Sequence, residues 1–205
     1  FITNPNNPTG SVVKISEITE LAKAAADVGG LLVVDEAYAE FSSETSAATL
    51  IAQYPSAIVI RTMSKAFAFA GARVGYLVAD PAVIDALQLV RLPYHLSAIT
   101  QAVAEVALSF SDELLAGVDS LIAQRVIVQT GLAKLGLSIT PSAANFLLVS
   151  GFNQPADQIW QKLLDRGILI RDVGLLGQLR VTIGTAAENQ AFLSALAQVL
   201  AEGDQ

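Results

Sequence analysis

The chain contains no cysteine and only one residue each of histidine, methionine and tryptophan among 205. Without thiols it forms neither disulfides nor thiolate metal sites, and the lone His95 is too little for a centre built on histidine and cysteine ligands. A cysteine-free composition is compatible with the cytoplasmic location expected here. No apolar run approaches the roughly 18 residues that a membrane span needs, and no basic segment followed by an apolar core and a small-residue cleavage site opens the chain. Neither a membrane partner nor a secretory signal is expected. Positive charge is also scarce. Against 19 Asp plus Glu stand 12 Lys plus Arg, a net charge of -7 with no basic cluster, which repels phosphate backbones and argues against nucleic acid as a partner.

Apolar residues are abundant by contrast. The hydrophobic fraction is 53% and the mean hydropathy +0.52, high for a soluble monomer. Part of that surface is expected to meet another chain or another segment. Phe1-Ile2-Thr3 reads as the end of a strand with no initiating methionine before it, which suggests a portion of a longer polypeptide.

Periodicity predicts an α/β chain. Ser16 precedes a helix over 17–28 with Ile18, Leu21, Ala25 and Val28 on its apolar face, closed by Gly29-Gly30. Residues 31–34 and 57–60 are wholly apolar runs of the kind found in strands covered on both faces, with a helical segment near 47–53 between them. This alternation predicts βαβ units and a mostly parallel sheet. A strand over 75–78 is stopped by Asp80-Pro81, and a helix follows over 82–89. Helical spacing returns over 97–109 and 112–135, the second about 35 Å long and able to join two lobes. Strands over 145–149, 168–171 and 179–183 with helices over 156–166 and 187–201 make a small α/β lobe, and residues 202–205 are expected to fray. The division expected is 1–112 as part of a large domain, 113–135 as an interdomain helix and 136–205 as a small C-terminal domain.

Open parallel sheets collect ligands beyond the carboxyl ends of their strands, so polar residues at those ends are the candidate site. Lys65 lies in Arg61-Thr62-Met63-Ser64-Lys65, just past the run 57–60, and Arg73 follows eight residues later. A lysine among small and apolar neighbours loses solvation of its ammonium form, which leaves a neutral amine to condense with an aldehyde. Asp35 ends the run 31–34 and Asn7 follows the strand remnant at the start, so both can meet the Ser64-Lys65 pair at one edge. Glu36 points away from Asp35 if the strand continues, and is expected to make an ion pair. Taken singly, each residue also has a plain structural reading. Lys65 can be a loop lysine with its charge in water, Asn7-Pro8-Thr9-Gly10 an ordinary turn, Asp35 a loop cap, Tyr38 a core-edge residue, and Arg73 or Arg180 half of a surface ion pair.

Jointly and in order, Asn-Pro-Thr-Gly at 7–10, Asp-Glu-Ala-Tyr at 35–38, Ser-Lys-Ala-Phe-Ala at 64–68 with Arg73, and Leu-Arg-Val-Thr-Ile-Gly-Thr at 179–185 resemble the fold type I aminotransferases. Leu-Pro-Tyr-His-Leu-Ser at 92–97 and Ala-Asn-Phe-Leu-Leu-Val at 144–149 bring the resemblance nearest to the histidinol-phosphate aminotransferase family. It runs through almost the whole chain but matches only the later part of that family's sequence. The resemblance implies an α/β, fold type I architecture, with part of a large domain holding a mostly parallel sheet and a small C-terminal α/β domain. It also implies pyridoxal 5'-phosphate as cofactor. Lys65 would bond to the cofactor aldehyde and move the substrate proton, and Asp35 would pair with the pyridine nitrogen. Asn7 and Tyr38 would hydrogen-bond the phenolic oxygen. Thr62, Ser64 and Arg73 would anchor the phosphate, where a forked guanidinium suits a dianion. Arg180 would grip the substrate's anionic group, with Arg171 and Asn145 on the same substrate side. The interval from Arg171 to Arg180 is shorter than in several relatives, which bears on the role of Arg171 more than on that of Arg180. Packing or solvation explains Tyr94 and His95 as well as any substrate role does.

The reaction implied is reversible amino transfer between L-histidinol phosphate and 2-oxoglutarate, in histidine biosynthesis, by a homodimer whose partners are a small-molecule amino donor and a 2-oxo acid. One arginine at 180 suits both donors, since glutamate offers a carboxylate and histidinol phosphate a phosphate. Two other readings stay open. One is an aromatic amino acid aminotransferase or a related lyase using the same cofactor. The other, of a different class, is an inert cofactor-binding fragment, because the family's glycine-containing phosphate loop, ring-stacking aromatic and cross-dimer tyrosine belong to the unmatched segment.

Overall fold

The computed structural model describes residues 1–204, and two compact units divide the chain. Phe1–Asn6 and Val12–Val118 form the first unit, and Asn7–Ser11 with the residues from Asp119 onward form the second.

The first unit holds a four-stranded sheet in the order β1 (Ile2–Thr3), β2 (Leu32–Asp35), β3 (Ala57–Thr62), β4 (Gly75–Val78). The first three strands are parallel, and β4 runs antiparallel to β3. The exception has a plain cause: only the loop 63–74 joins β3 to β4, and a parallel return needs a crossover, usually a helix. Between β1 and β2 lies α1 (Ile15–Asp27), which starts earlier than the Ser16 cap predicts. The Glu17 carboxylate accepts the Lys14 backbone N–H at 3.0 Å, so the first turn is organised around Lys14. The helix buries Ile18 and Ala22 against Val34 and Val59, while Leu21 and Val28, expected on the apolar face, are exposed. The buried stripe follows the i, i+4 spacing of Ile18 and Ala22.

The helical segment expected near 47–53 is only a 3-10 turn, Ala47–Leu50, capped by Ser46. Two further helices have explicit caps, Asp80 on the Ala82 N–H for α2 (Pro81–Val90) and Ser97 on the Thr100 N–H for α3 (Ala98–Ser109). The apolar residues of β4 and α2 are not buried within this unit, and α3 buries only Ala104.

The boundary between the units falls inside α4 (Ser111–Lys134). The second unit carries an antiparallel sheet in the order β5 (Ser138–Ile139), β6 (Phe146–Ser150), β8 (Gln178–Thr182), β7 (Arg171–Asp172). Against it pack α5 (Ala156–Leu164) and α6 (Ala186–Ala201), closing a core around Leu132, Leu147, Leu163, Leu179 and Leu196. Each such leucine contributes about 1.5–3 kcal/mol by burial. The strand expected over 168–171 shrinks to Arg171–Asp172 because its backbone groups are used elsewhere. The Ile168 N–H closes the end of α5 on the Leu163 carbonyl at 2.9 Å, and the Ile170 carbonyl accepts the Trp160 indole N–H at 3.0 Å. Glu202–Asp204 form a 3-10 turn. Of the end expected to fray, Gln205 lies outside the described residues. Among the described residues no helix is long and apolar enough to cross a membrane.

Candidate functional site

In the first unit β2 and β3 run side by side with Asp35 level with Ile60, and the Glu36 N–H extends the ladder to the Ile60 carbonyl at 2.8 Å. Both strands therefore deliver their carboxyl ends to one edge. Asp35 is half-buried, and its Oδ1 accepts the Ala37 N–H at 3.0 Å, turning the chain toward Tyr38 and the 3-10 turn Ala39–Phe41. The Asp35 carbonyl accepts the Asn4 N–H at 2.8 Å, and the buried Asn4 amide closes the following loop by bonding both backbone groups of Val13. Tyr38 is buried, and the Lys65 Nζ stands 5.6 Å from its ring centroid. The lysine that follows β3 thus lies over the tyrosine that follows β2.

One expectation for Lys65 is not met. Its neighbours Met63, Ala66 and Phe67 are buried, but Lys65 itself is exposed in this chain. Burial by the chain's own apolar residues therefore does not desolvate the amine. The aromatic face of Tyr38 is the environment it has.

The loop after Lys65 is closed by backbone bonds. The Met63 N–H reaches the Val74 carbonyl at 3.2 Å and the Phe69 N–H the Met63 carbonyl at 3.0 Å. The register of β3 with β4 ends at Thr62 and Gly75, and Gly75 lies two residues after Arg73. The Thr62 hydroxyl donates to the Ser64 hydroxyl at 2.9 Å and accepts the Ser64 N–H at 3.1 Å. Arg73 is exposed, and its guanidinium reaches only the Ala70 carbonyl, 3.0 Å away, within its own turn. Ala68 and Arg73 both hold left-handed backbone, φ 52 and 54, at a cost of about 1–2 kcal/mol each. Gly75 has no such freedom to explain; a Cβ there would lie 2.6 Å from the Arg61 carbonyl oxygen. Asp35, Tyr38, Thr62, Ser64, Lys65 and Arg73 thus belong to one unit and to the strand ends and loops at one sheet edge.

The opposite side of the same strand ends is an ion-pair network. Glu36 is 2% exposed and makes the ion pair expected of it, with Arg61 Nη2 at 2.7 Å. It also accepts Arg61 Nε at 3.1 Å, the Ser46 hydroxyl at 2.7 Å and the Ala47 N–H at 2.6 Å. Glu40 takes the remaining fork of Arg61 at 3.2 Å. Burial disfavours the Arg61 charge, but the Glu36 bond and the charges of Glu36 and Glu40 outweigh it and hold the guanidinium above its ordinary range.

The second unit gathers a different set. Arg171 and Arg180 pair across β7 and β8, and both line a cavity of about 460 Å³ with Trp160, Asp172 and Thr182. Two like charges directly opposite repel, and an anion between them relieves that repulsion. Arg180 donates through Nη1 to Asn7 Oδ1 at 2.6 Å, lies 4.8 Å from the Phe146 ring centroid, and has a buried Nε without a partner. Asn7 therefore belongs with Arg180 rather than to the unit that carries Asp35 and Lys65. The segment that carries it packs closely, since a Cβ on Gly10 would meet the Ser142 Oγ at 2.1 Å. Asn145 directly precedes β6 and is half-buried, its carbonyl accepting the Ile183 N–H at 2.9 Å. Tyr94 and His95 are exposed in the first unit, and His95 borders a cavity of about 400 Å³ beside α2.

Sequence reasoning assigns no role to Arg61, Glu40 or Phe146. For Arg61 a signal exists: the apolar runs of β2 and β3 align with an offset that sets residue 36 beside residue 61. Phe146 has none, because its contact with Arg180 depends on the register of β6 with β8.

The family model described as aminotransferase class I and II matches residues 1–196. The histidinol-phosphate aminotransferase of Mycolicibacterium smegmatis is 55% identical over 200 residues, which is 97% of this chain and 52% of that protein. The crystal structure of histidinol-phosphate aminotransferase from Sinorhizobium meliloti in complex with pyridoxal-5'-phosphate matches with a TM-score of 0.87 at 32% identity, covering 98% of this chain and 56% of that one. L-threonine-O-3-phosphate decarboxylase from Porphyromonas gingivalis matches with a TM-score of 0.87 at 26% identity, covering 97% and 63%. The chain spans about half the length of the curated relatives it matches.

Proposed function

We propose a function whose starting point is that this chain belongs to the class I and II aminotransferase family: it is part of a pyridoxal 5'-phosphate-dependent aminotransferase that moves an amino group reversibly between L-histidinol phosphate and 2-oxoglutarate, in histidine biosynthesis. The observation that carries the reaction class is the Lys65 amine over Tyr38, at the carboxyl ends of the two strands that also present Asp35 and Thr62. The choice of substrate is supported by the likeness to histidinol-phosphate aminotransferases.

The residues fit the cofactor by chemistry: a primary amine for its aldehyde, a carboxylate for its ring nitrogen, and a guanidinium with two hydroxyls for its phosphate. When bound, the cofactor supplies an electron sink for the substrate carbon that loses its proton. Lys65, exposed and unpaired by any carboxylate in the described ion pairs, has the freedom to take that proton and return it to the other side of the transfer. Asp35 keeps a proton on the ring nitrogen. Arg73, Thr62 and Ser64 bind the phosphate, which requires Arg73 to exchange its Ala70 contact for a stronger, charge-assisted one. Tyr38 donates to the phenolic oxygen, and Asn7, whose Oδ1 accepts Arg180, has its Nδ2 as a donor. Arg180 binds the substrate's phosphate or carboxylate, with Arg171 level with it on β7, and Asn145 is assigned to the substrate side as well. The assembly proposed is a homodimer, supported by the exposed apolar side chains of β4 and α2.

Borohydride trapping of the protein carrying this chain in the presence of pyridoxal 5'-phosphate, followed by peptide mapping, is expected to label Lys65. Assay with histidinol phosphate and phenylalanine tests the substrate, and a strong preference for phenylalanine overturns it. A lyase is the second reading, favoured by the match to the threonine-phosphate decarboxylase. Release of carbon dioxide from a phosphorylated amino acid would select it.

A further inference from the structure

We propose that Glu36, Arg61 and Glu40 form a positioning clamp that holds Tyr38 against Lys65 and sets the direction of Asp35. This deepens the function proposed above and rests on its assignment of Asp35, Tyr38 and Lys65.

The clamp follows from strand alternation. Asp35 and Ile60 are level on neighbouring parallel strands and share a face, with Thr62 two residues on. One step along each strand turns Glu36 and Arg61 to the other face, where Arg61 Nε and Nη2 converge on Glu36 Oε2. The Glu36 carboxylate is thus tethered one residue after Asp35, on the face turned away from the edge. Arg61 also holds Glu40, so its two carboxylate partners stand at positions 36 and 40 and bracket Tyr38 between them. Downstream, Arg61 precedes Thr62, Ser64 and Lys65. A single guanidinium thus ties the segment bearing Asp35 and Tyr38 to the segment bearing Lys65. The Ser46 hydroxyl and Ala47 N–H complete the buried Glu36 carboxylate, while Arg61 is half-buried. Ion pairs drawn out of water contribute little net stability compared with apolar replacements, and the role proposed for this one is geometric.

The experiment reads Lys65 directly. In the cofactor-free protein carrying this chain, the rate at which acetic anhydride acetylates Lys65 is measured by peptide mass spectrometry, and in the loaded protein the pH midpoint of the cofactor's visible absorbance is followed. Arg61→Met is expected to change the acetylation rate about threefold or more, to move the midpoint, and to lower kcat about tenfold to a hundredfold with KM within about twofold. Arg61→Lys keeps the charge, loses the fork and restores these readouts in part. If Arg61→Met does not fold, Glu36→Gln, which keeps the shape and an acceptor, is read in its place. Variants that lower the melting temperature while acetylation rate and absorbance midpoint stay at wild-type values make the trio merely structural and overturn the proposal. If borohydride fails to label Lys65 in the wild-type protein, the function falls instead, and the acetylation arm still decides the clamp.

Discussion

The second unit closes an apolar core around β6 and β8, whereas the first buries a carboxylate beside the edge where its candidate residues gather. In the second, the buried polar side chain is neutral: the Asn189 amide bonds both backbone groups of Gly184 and the Gln124 side chain. In the first, Glu36 is charged and takes four donors. The first unit also leaves β4 exposed along its length, while four of five β6 residues are buried. The contrast separates two uses of a buried interior. Packing in the second unit sustains stability, and polar contacts in the first hold the loops that carry the candidate residues.

Opposite effects of two substitutions test that separation. Lys65→Ala is expected to lower amino transfer at least about a thousandfold, with a melting temperature close to wild type because the side chain is exposed. Leu163→Ala, at a fully buried position, is expected to cost about 2–5 kcal/mol in urea denaturation and to leave kcat/KM of the folded protein unchanged. A Lys65→Ala protein that unfolds, or a Leu163→Ala protein of normal stability, breaks the comparison. Arg180→Lys sharpens it with a smaller effect, since the second unit also carries an anion-ready pair of arginines. Keeping the charge and losing the fork should raise KM for the proposed phosphate substrate about tenfold, with kcat affected less.

Much of the fold was legible because its punctuation is written in side chains. Asp80, Ser97 and Thr185 cap α2, α3 and α6 within a residue or two of the periodicity-based limits. The fold type I expectation holds in the portion present, by its match to a solved structure of that kind. What remained hidden lies in pairing. Alternation carries no strand direction, so the antiparallel course of β4 is invisible until the 63–74 connection is seen to lack a crossover. The two-residue β5 has too little pattern to register. For the site, the order of motifs marks Asp35, Lys65 and Arg73, but Asn7 meets Arg180 across 173 positions, a contact that only the folded chain supplies. The exposure of Lys65 follows the plain reading of a loop lysine and not the desolvated one: neighbour composition describes the surroundings of its Cα, and a four-carbon stem carries the amine beyond them.

The smallest effect belongs to an exposed carboxylate in the second unit. Glu188 accepts the Thr185 N–H at 2.7 Å and its hydroxyl at 2.8 Å, and these bonds hold its carboxyl below the usual carboxylate range. A folded-state value depressed below the unfolded one contributes stability at pH above the unfolded value of about 4.3 and loses it as pH falls through the folded value. Glu188→Gln removes that dependence. The melting temperatures of wild type and variant should therefore differ by about 1 °C at neutral pH and converge in acid, because solvent screens the charge and only the start of α6 responds. A gap that stays constant from neutral to acid pH would show that the difference does not come from ionisation of Glu188, and the α6 cap would then add nothing to the acid sensitivity of the second unit.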